Sequence, residues 1–189
     1  MSNKLQHFWY DAKFGELWFT YPRLYSWAVE SFPSGSHFLE IGSWKGRSAS
    51  YMGVALHNSG KDIKFDCVDT WDDISPMHNI TGEELLRQFT ENTAPVKHRI
   101  NPVRAYSVDA ASYYADNSID FLFLDADHRY DKVIREMQAW IPKVKKGGVF
   151  AGHDYTSIPD VKQALGECFN SNEDFSDPWG EDCFFIHMN

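Results

Sequence analysis

The stretch Ser118–Asp131, SIDFLFLDADHRYD, decides the fold. Ile119, Phe121, Leu122, Phe123 and Leu124 form a short apolar run with β-branched and aromatic members, the pattern of a buried strand. Asp125, Asp127, His128 and Asp131 follow at once. A core strand ordinarily ends in turn residues. A cluster of carboxylates and an imidazole at the tip of a buried strand asks for a chemical reason.

Working outward, strands and helices alternate. YPRLYSWAVESF reads as a helix with Pro22 near its start. SHFLEI is a strand, Gly42 to Gly46 a turn, and GRSASYMGVALHNSG a helix ending near Gly60. IKFDCVD is the next strand. TGEELLRQFTEN follows as a helix, with Thr81 as N-cap and Glu84 completing a capping box. INPVRAYS holds a poor strand and VDAASYYAD a short helix. Beyond the opening strand come a helix in YDKVIREMQAWIPKV, a strand in GGVFAGHDY, a helix in IPDVKQALGECFN and a terminal strand in EDCFFIHM. This β-α-β-α order predicts a doubly wound, mostly parallel α/β sheet with helices on both faces. No repeat or low-complexity linker divides the chain, so residues 1–189 are expected to form one domain.

In such folds ligands gather at the carboxyl ends of the strands. The residues there are Glu40 to Gly46, Asp69 to Trp71, Ser107 to Asp109, Asp125 to His128, and His153 to Tyr155, and every set is polar or glycine-bearing. Gly42 and Gly46 allow a tight strand-to-helix turn and close approach of a ligand. The helix N-terminus beyond offers N–H groups to a carboxylate, and Ser48 a hydroxyl. Trp44 stands where a dinucleotide fingerprint would carry its second glycine, which counts against NAD. Asp69 can accept hydrogen bonds from a ribose diol. Trp71 fits an adenine cover or local core equally.

Bulk properties narrow the partners. A net charge of −9 and a pI near 5.3 argue against a nucleic-acid backbone or an anionic membrane. Cys67, Cys168 and Cys183 are scattered without a CxxC pair, which suits a reducing compartment. The aromatic, charged N-terminus has no apolar core of a secretory signal, and no run reaches the length of a membrane span. The expected setting is cytoplasmic.

These motifs resemble class I S-adenosylmethionine-dependent methyltransferases. EIGSWKGRS is similar to the E-x-G-x-x-x-G-x-S form of the catechol and caffeoyl-CoA O-methyltransferase branch. LDADHRYD with GGVFAGHDY resembles small bacterial and sugar- or antibiotic-tailoring O-methyltransferases. The resemblance runs from about Phe38 to Tyr155. It implies a Rossmann-like sheet of seven strands, the last antiparallel, with S-adenosylmethionine as cofactor. Glu40, Gly42, Ser43, Trp44 and Gly46 would line the methionine part, Ser48 would hold its carboxylate, and Asp69 and Trp71 would serve the ribose and adenine. Ser107 and Val108 would edge the adenine. Asp125 would border the cofactor and, with Asp154 and His153, hold a divalent metal, magnesium or another. His128 stands where catechol-type relatives have a catalytic lysine and sugar-modifying relatives a histidine, which assigns it the base role.

Two positions depart from those patterns. Tyr155 replaces the asparagine ligand of the catechol branch. His153 replaces the carboxylate of the tailoring enzymes and favours a softer metal. The expected acceptor is a small hydroxylated molecule, a sugar or a phenol. Its wall would come from the aromatic segment within residues 1–33, the loop WDDISPMHNI and DPWGED. The same aromatics could equally form core or a homo-oligomer contact. Two rival readings stand beside this one: another nucleotide-binding Rossmann-like protein, and a non-catalytic module that keeps the fold.

Overall fold

The computed structural model describes residues 4–72, 80–169, 175 and 177–189. Strands and helices alternate as α1 (Pro22–Ser31), β1 (His37–Ile41), α2 (Arg47–Ser59), β2 (Lys64–Asp69), α3 (Gly82–Thr93), β3 (Asn101–Arg104), α4 (Ser107–Ala110), β4 (Ile119–Leu124), α5 (Tyr130–Trp140), β5 (Val144–Gly152), α6 (Pro159–Phe169) and β6 (Phe184–His187). The sheet order is β3-β2-β1-β4-β5-β6. All pairs are parallel except β5 with β6. Six strands form the sheet among the described residues, where seven were expected. Because β6 hydrogen-bonds directly to β5, with Gly152 opposite Phe184, no strand lies between them.

The apolar run at 119–124 is the inner strand β4, held between β1 and β5. Its side chains alternate between two cores. Phe121 and Phe123 pack with α1, α2 and α3, while Leu122 and Leu124 pack with α4, α5 and α6. Burial on both faces explains why the run is continuous rather than alternating. The weak third strand is an edge, the position that tolerates Pro102.

Local signals set most boundaries. Gly60 caps α2 in the left-handed conformation. The Thr81 hydroxyl accepts from Glu84 N, half of the expected capping box, but the Glu84 carboxylate turns instead to Arg87. The helix expected over 130–144 ends at Trp140 and passes into a tight turn, Ile141–Lys143. Pro142 lacks an N–H and disfavours continued helix before it. The next strand accordingly starts at Val144, ahead of the glycine pair, and Gly147 (φ 76°) sits where the register against β4 shifts.

Candidate active site at the carboxyl ends of the strands

A cleft of about 860 Å³ opens over the tips of β1, β2, β4 and β5, beside the segment Glu16–Tyr21 and the start of α4. The order of the sheet reverses between β1 and β4, which places their two loops face to face. Gly42 is the reason they can touch. It has φ 89°, and a Cβ there would lie 1.8 Å from the Asp125 carbonyl oxygen. Gly46 has a different duty: its Cβ would meet Thr93 Cγ2 at 2.6 Å, so it serves packing on α3 and does not border the cleft.

Gly42, Ser43, Trp44 and Ser48 line one end of the cleft, with Asp69 beside them. Trp44 takes a left-handed backbone, φ 48°, unusual for a bulky residue. Its N–H donates to Asp69 Oδ2 at 2.8 Å, and Trp71 N–H donates to Oδ1 at 2.7 Å. Asp69 thus fixes the turn from the tip of β2. Trp71, open between adenine cover and core, is core: it is fully buried, packs on Phe89, and donates its indole N–H to the Trp44 carbonyl. Glu40 also lies beneath the cleft rather than on it. It is fully buried and accepts from the Tyr25 hydroxyl at 2.6 Å. Burial raises its pKa to about 7, against the pull of the Tyr25, Ser43 and Ser48 hydroxyls. Ser107 reaches the cleft, whereas Val108 turns to the outer surface.

The acidic end gathers the strand-tip residues of β4 and β5. His128 Nε2 lies 2.8 Å from Asp154 Oδ2 and 3.6 Å from Asp125 Oδ1. The Asp125 and Asp154 carboxylates beside it raise the His128 pKa to about 10, which favours the imidazolium at neutral pH. His153 Nδ1 is 3.3 Å from Asp154 Oδ1 and 4.0 Å from Asp125, and Nε2 meets the Thr20 hydroxyl at 2.8 Å. Burial pulls its pKa down, but the Asp154 hydrogen bond and the charges of Asp125, Asp154 and Asp182 outweigh that and raise it. Asp154 holds a left-handed backbone, φ 62°.

Asp125, His128 and Asp154 each bring one ligand atom within 4.8 Å of the others. The two carboxylates suit a hard divalent cation, with the His128 ring beside them. His153 converges instead with Asp154 and Asp182. Asp182 is committed to the neighbouring turn, accepting from Thr156 and Ser157 N–H. The Tyr155 ring packs toward Phe175, while its N–H donates to the Asp182 carbonyl at 3.1 Å.

Several site residues were hidden in the sequence. Tyr21 donates its hydroxyl to Asp125 Oδ2 at 2.9 Å, and its ring packs against Phe123. Tyr25 and Thr20 similarly brace Glu40 and His153. Glu136 reaches the cleft wall from α5, almost wholly buried, with burial raising its pKa to about 7. One signal for it was readable: Val133, Glu136, Met137 and Trp140 form the buried face of α5, and a carboxylate there breaks an apolar stripe. Of the aromatic N-terminal segment, Phe19 and Tyr21 are core, while Leu17 and Trp18 stand exposed at the cleft. The loop 71–80 lies mostly outside the described residues, including Met77 and His78.

This fold is that of the class I S-adenosylmethionine-dependent methyltransferases. The family model described as a methyltransferase domain matches residues 39–155, and the chain belongs to that family. It is 30% identical over 137 residues to the uncharacterized protein R132 of Acanthamoeba polyphaga mimivirus. That match covers 69% of this chain and 58% of the mimivirus protein, so the chain spans somewhat over half the length of its relative. Among solved structures, the O-methyltransferase NovP shares the fold with a TM-score of 0.68 at 15% identity, covering 89% of this chain and 79% of NovP. CalS11, a TDP-rhamnose 3'-O-methyltransferase of calicheamicin biosynthesis, gives a TM-score of 0.62 at 14% identity, covering 88% and 76%. Fibrillarin from Aeropyrum pernix, with S-adenosylmethionine bound, gives 0.53 at 14% identity, covering 86% and 73%.

Proposed function

We propose that this chain transfers the methyl group of S-adenosylmethionine to a hydroxyl of a small acceptor, a sugar or a phenol, with a divalent cation at Asp125 and Asp154. The observation that carries this reading is the convergence of Asp125, His128 and Asp154 on the same cleft as the Gly42 turn and Asp69. Asp69, at the tip of β2 on the cleft wall, would accept from the ribose hydroxyls. The turn at Gly42–Trp44 and the start of α2, with Ser48, would take the methionine end. Ser107 would lie at the adenine.

In the transfer, the acceptor oxygen bonds to the methyl carbon as the carbon–sulfur bond breaks, and the sulfonium leaves as a neutral thioether. A protonated hydroxyl is a poor nucleophile. A divalent cation held by Asp125 and Asp154 would lower the hydroxyl pKa and fix its position. Such a cation would also engage the carboxylate charge that holds a proton on His128, which would leave the imidazole neutral to take the acceptor's proton. Tyr21 and His153 keep the carboxylates oriented from behind. Leu17 and Trp18, with Trp18 6.2 Å from the Trp44 ring, give the acceptor an apolar flank. The acidic net charge supports a small-molecule acceptor over a nucleic acid.

Thermal shift with S-adenosylhomocysteine, alone and with magnesium, manganese or zinc, tests the reading. The midpoint should rise with S-adenosylhomocysteine and remain unchanged with NAD. Stabilisation by NAD alone would replace this reading with that of another nucleotide-binding protein.

A further inference from the structure

We infer that Glu136 reads the base of the cofactor, accepting a hydrogen bond from the exocyclic amino group of adenine. This rests on the reading of the cleft as an S-adenosylmethionine site. Glu136 is the single charged member of the buried face of α5, between Val133 and Trp140. Its residue is 6% exposed and borders the cleft where Ser107 and Asp127 meet. The Ser107 hydroxyl and the Asp127 N–H interact with the carboxylate from that side. Trp140, one turn further along the same face, donates its indole N–H to Ser107 Oγ at 3.0 Å and fixes that hydroxyl. Oε2 of Glu136 is buried and has no hydrogen-bond partner within the protein.

A buried acceptor without a donor is costly, and native proteins rarely leave one unmatched. The place of Glu136 says what donor is missing. The opposite end of the cleft, at Gly42, Trp44 and Ser48, suits the charged amino-acid part, and Asp69 lies between the two ends. The Ser107 end is therefore left to the base. Of the edge atoms of adenine, the exocyclic amino group is the hydrogen-bond donor, while the free ring nitrogens are acceptors. An orphan carboxylate oxygen pairs with that donor and faces a carbonyl unfavourably. The site is therefore built to accept adenine and refuse hypoxanthine, which carries oxygen in place of the amino group.

Isothermal titration of the protein with S-adenosylhomocysteine and with S-inosylhomocysteine tests this. The wild type should bind the adenosyl compound at least about tenfold more tightly, one lost hydrogen bond to a buried charged group being sufficient for that ratio. In Glu136→Gln the amide can donate to the hypoxanthine oxygen, and the preference should collapse or reverse. Equal binding of the two compounds by the wild type overturns the inference without need of any variant. So does an unchanged preference in Glu136→Gln. If the wild type binds neither compound, the cofactor reading itself falls, and the inference falls with it.

Discussion

Two carboxylate–histidine clusters stand at different ends of the sheet, and the same pair distance does different work in each. Near the amino ends of the strands, His37 Nε2 meets Asp66 Oδ2 at 2.8 Å, the separation seen between His128 and Asp154 at the carboxyl ends. Asp66 is saturated: Lys64, Asn101 and Tyr114 also donate to it, at 2.9, 2.9 and 3.1 Å, and its side chain is 1% exposed. Asp154 is 16% exposed on the wall of a cleft, and His128 is 46% exposed. A closed set of donors stabilises; an open pair of carboxylates around one imidazolium is available to exchange its proton for another cation. Residue type and pair distance are shared by both clusters, so saturation and access are what tell them apart.

The comparison can be broken at either end. The largest effect is expected at the open cluster, where Asp154→Ala, or excess chelator on the wild type, should reduce methyl transfer to background while the fold persists by circular dichroism. Full turnover in chelator would leave His128 acting alone. His128→Ala should lower turnover by about 10²–10⁴-fold, the range for a positioned proton acceptor, with cofactor affinity unchanged by calorimetry. At the closed cluster the response should be of another kind. Asp66→Ala strands His37 and Lys64 and should lower unfolding stability by about 3–5 kcal/mol in urea, with turnover per folded molecule preserved. A catalytic defect there at full stability would erase the distinction. Asp69→Ala, between the two extremes, should weaken S-adenosylhomocysteine by about 1–3 kcal/mol.

The smallest effect is in pH. Burial raises the Asp66 pKa, but hydrogen bonds from His37, Asn101 and Lys64 outweigh it and lower the pKa to about 2. The group's contribution is therefore present above the ordinary carboxylate value and is lost as pH falls through about 2. The stability gap between wild type and Asp66→Asn should shrink by about 2 kcal/mol between pH 6 and pH 2. A gap constant over that range would show that neutral hydrogen bonding alone carries the cluster.

The sheet was legible because β4 is apolar on both faces and every strand ends in polar residues, signals that are local in sequence. Boundaries slipped where a single residue decided them, as at Pro142. The site was legible only as a set of strand tips. The Tyr21–Asp125 contact joins residues 104 positions apart, which no spacing rule reaches. The charge state of His128 depends on Asp154, whose approach follows from the pairing of β4 with β5. Trp71 could be read as ligand cover or core until Phe89 was seen to pack on it. Glu136 alone among the missed residues left a local mark, a carboxylate on an apolar helix face.

Arg47, in the first turn of α2, donates to the carbonyls of Trp9 at 2.5 Å and Gly15 at 2.8 Å and lies over the Phe14 ring. The segment Trp9–Gly15 is thereby stitched to the first turn of α2. Exchange of acceptor preference between relatives, by recombination or by design, therefore cannot treat residues 8–21 as a free cassette. A segment grafted onto a chain without arginine at this place would lose both carbonyl anchors. The transferable unit is the segment together with one residue about thirty positions downstream.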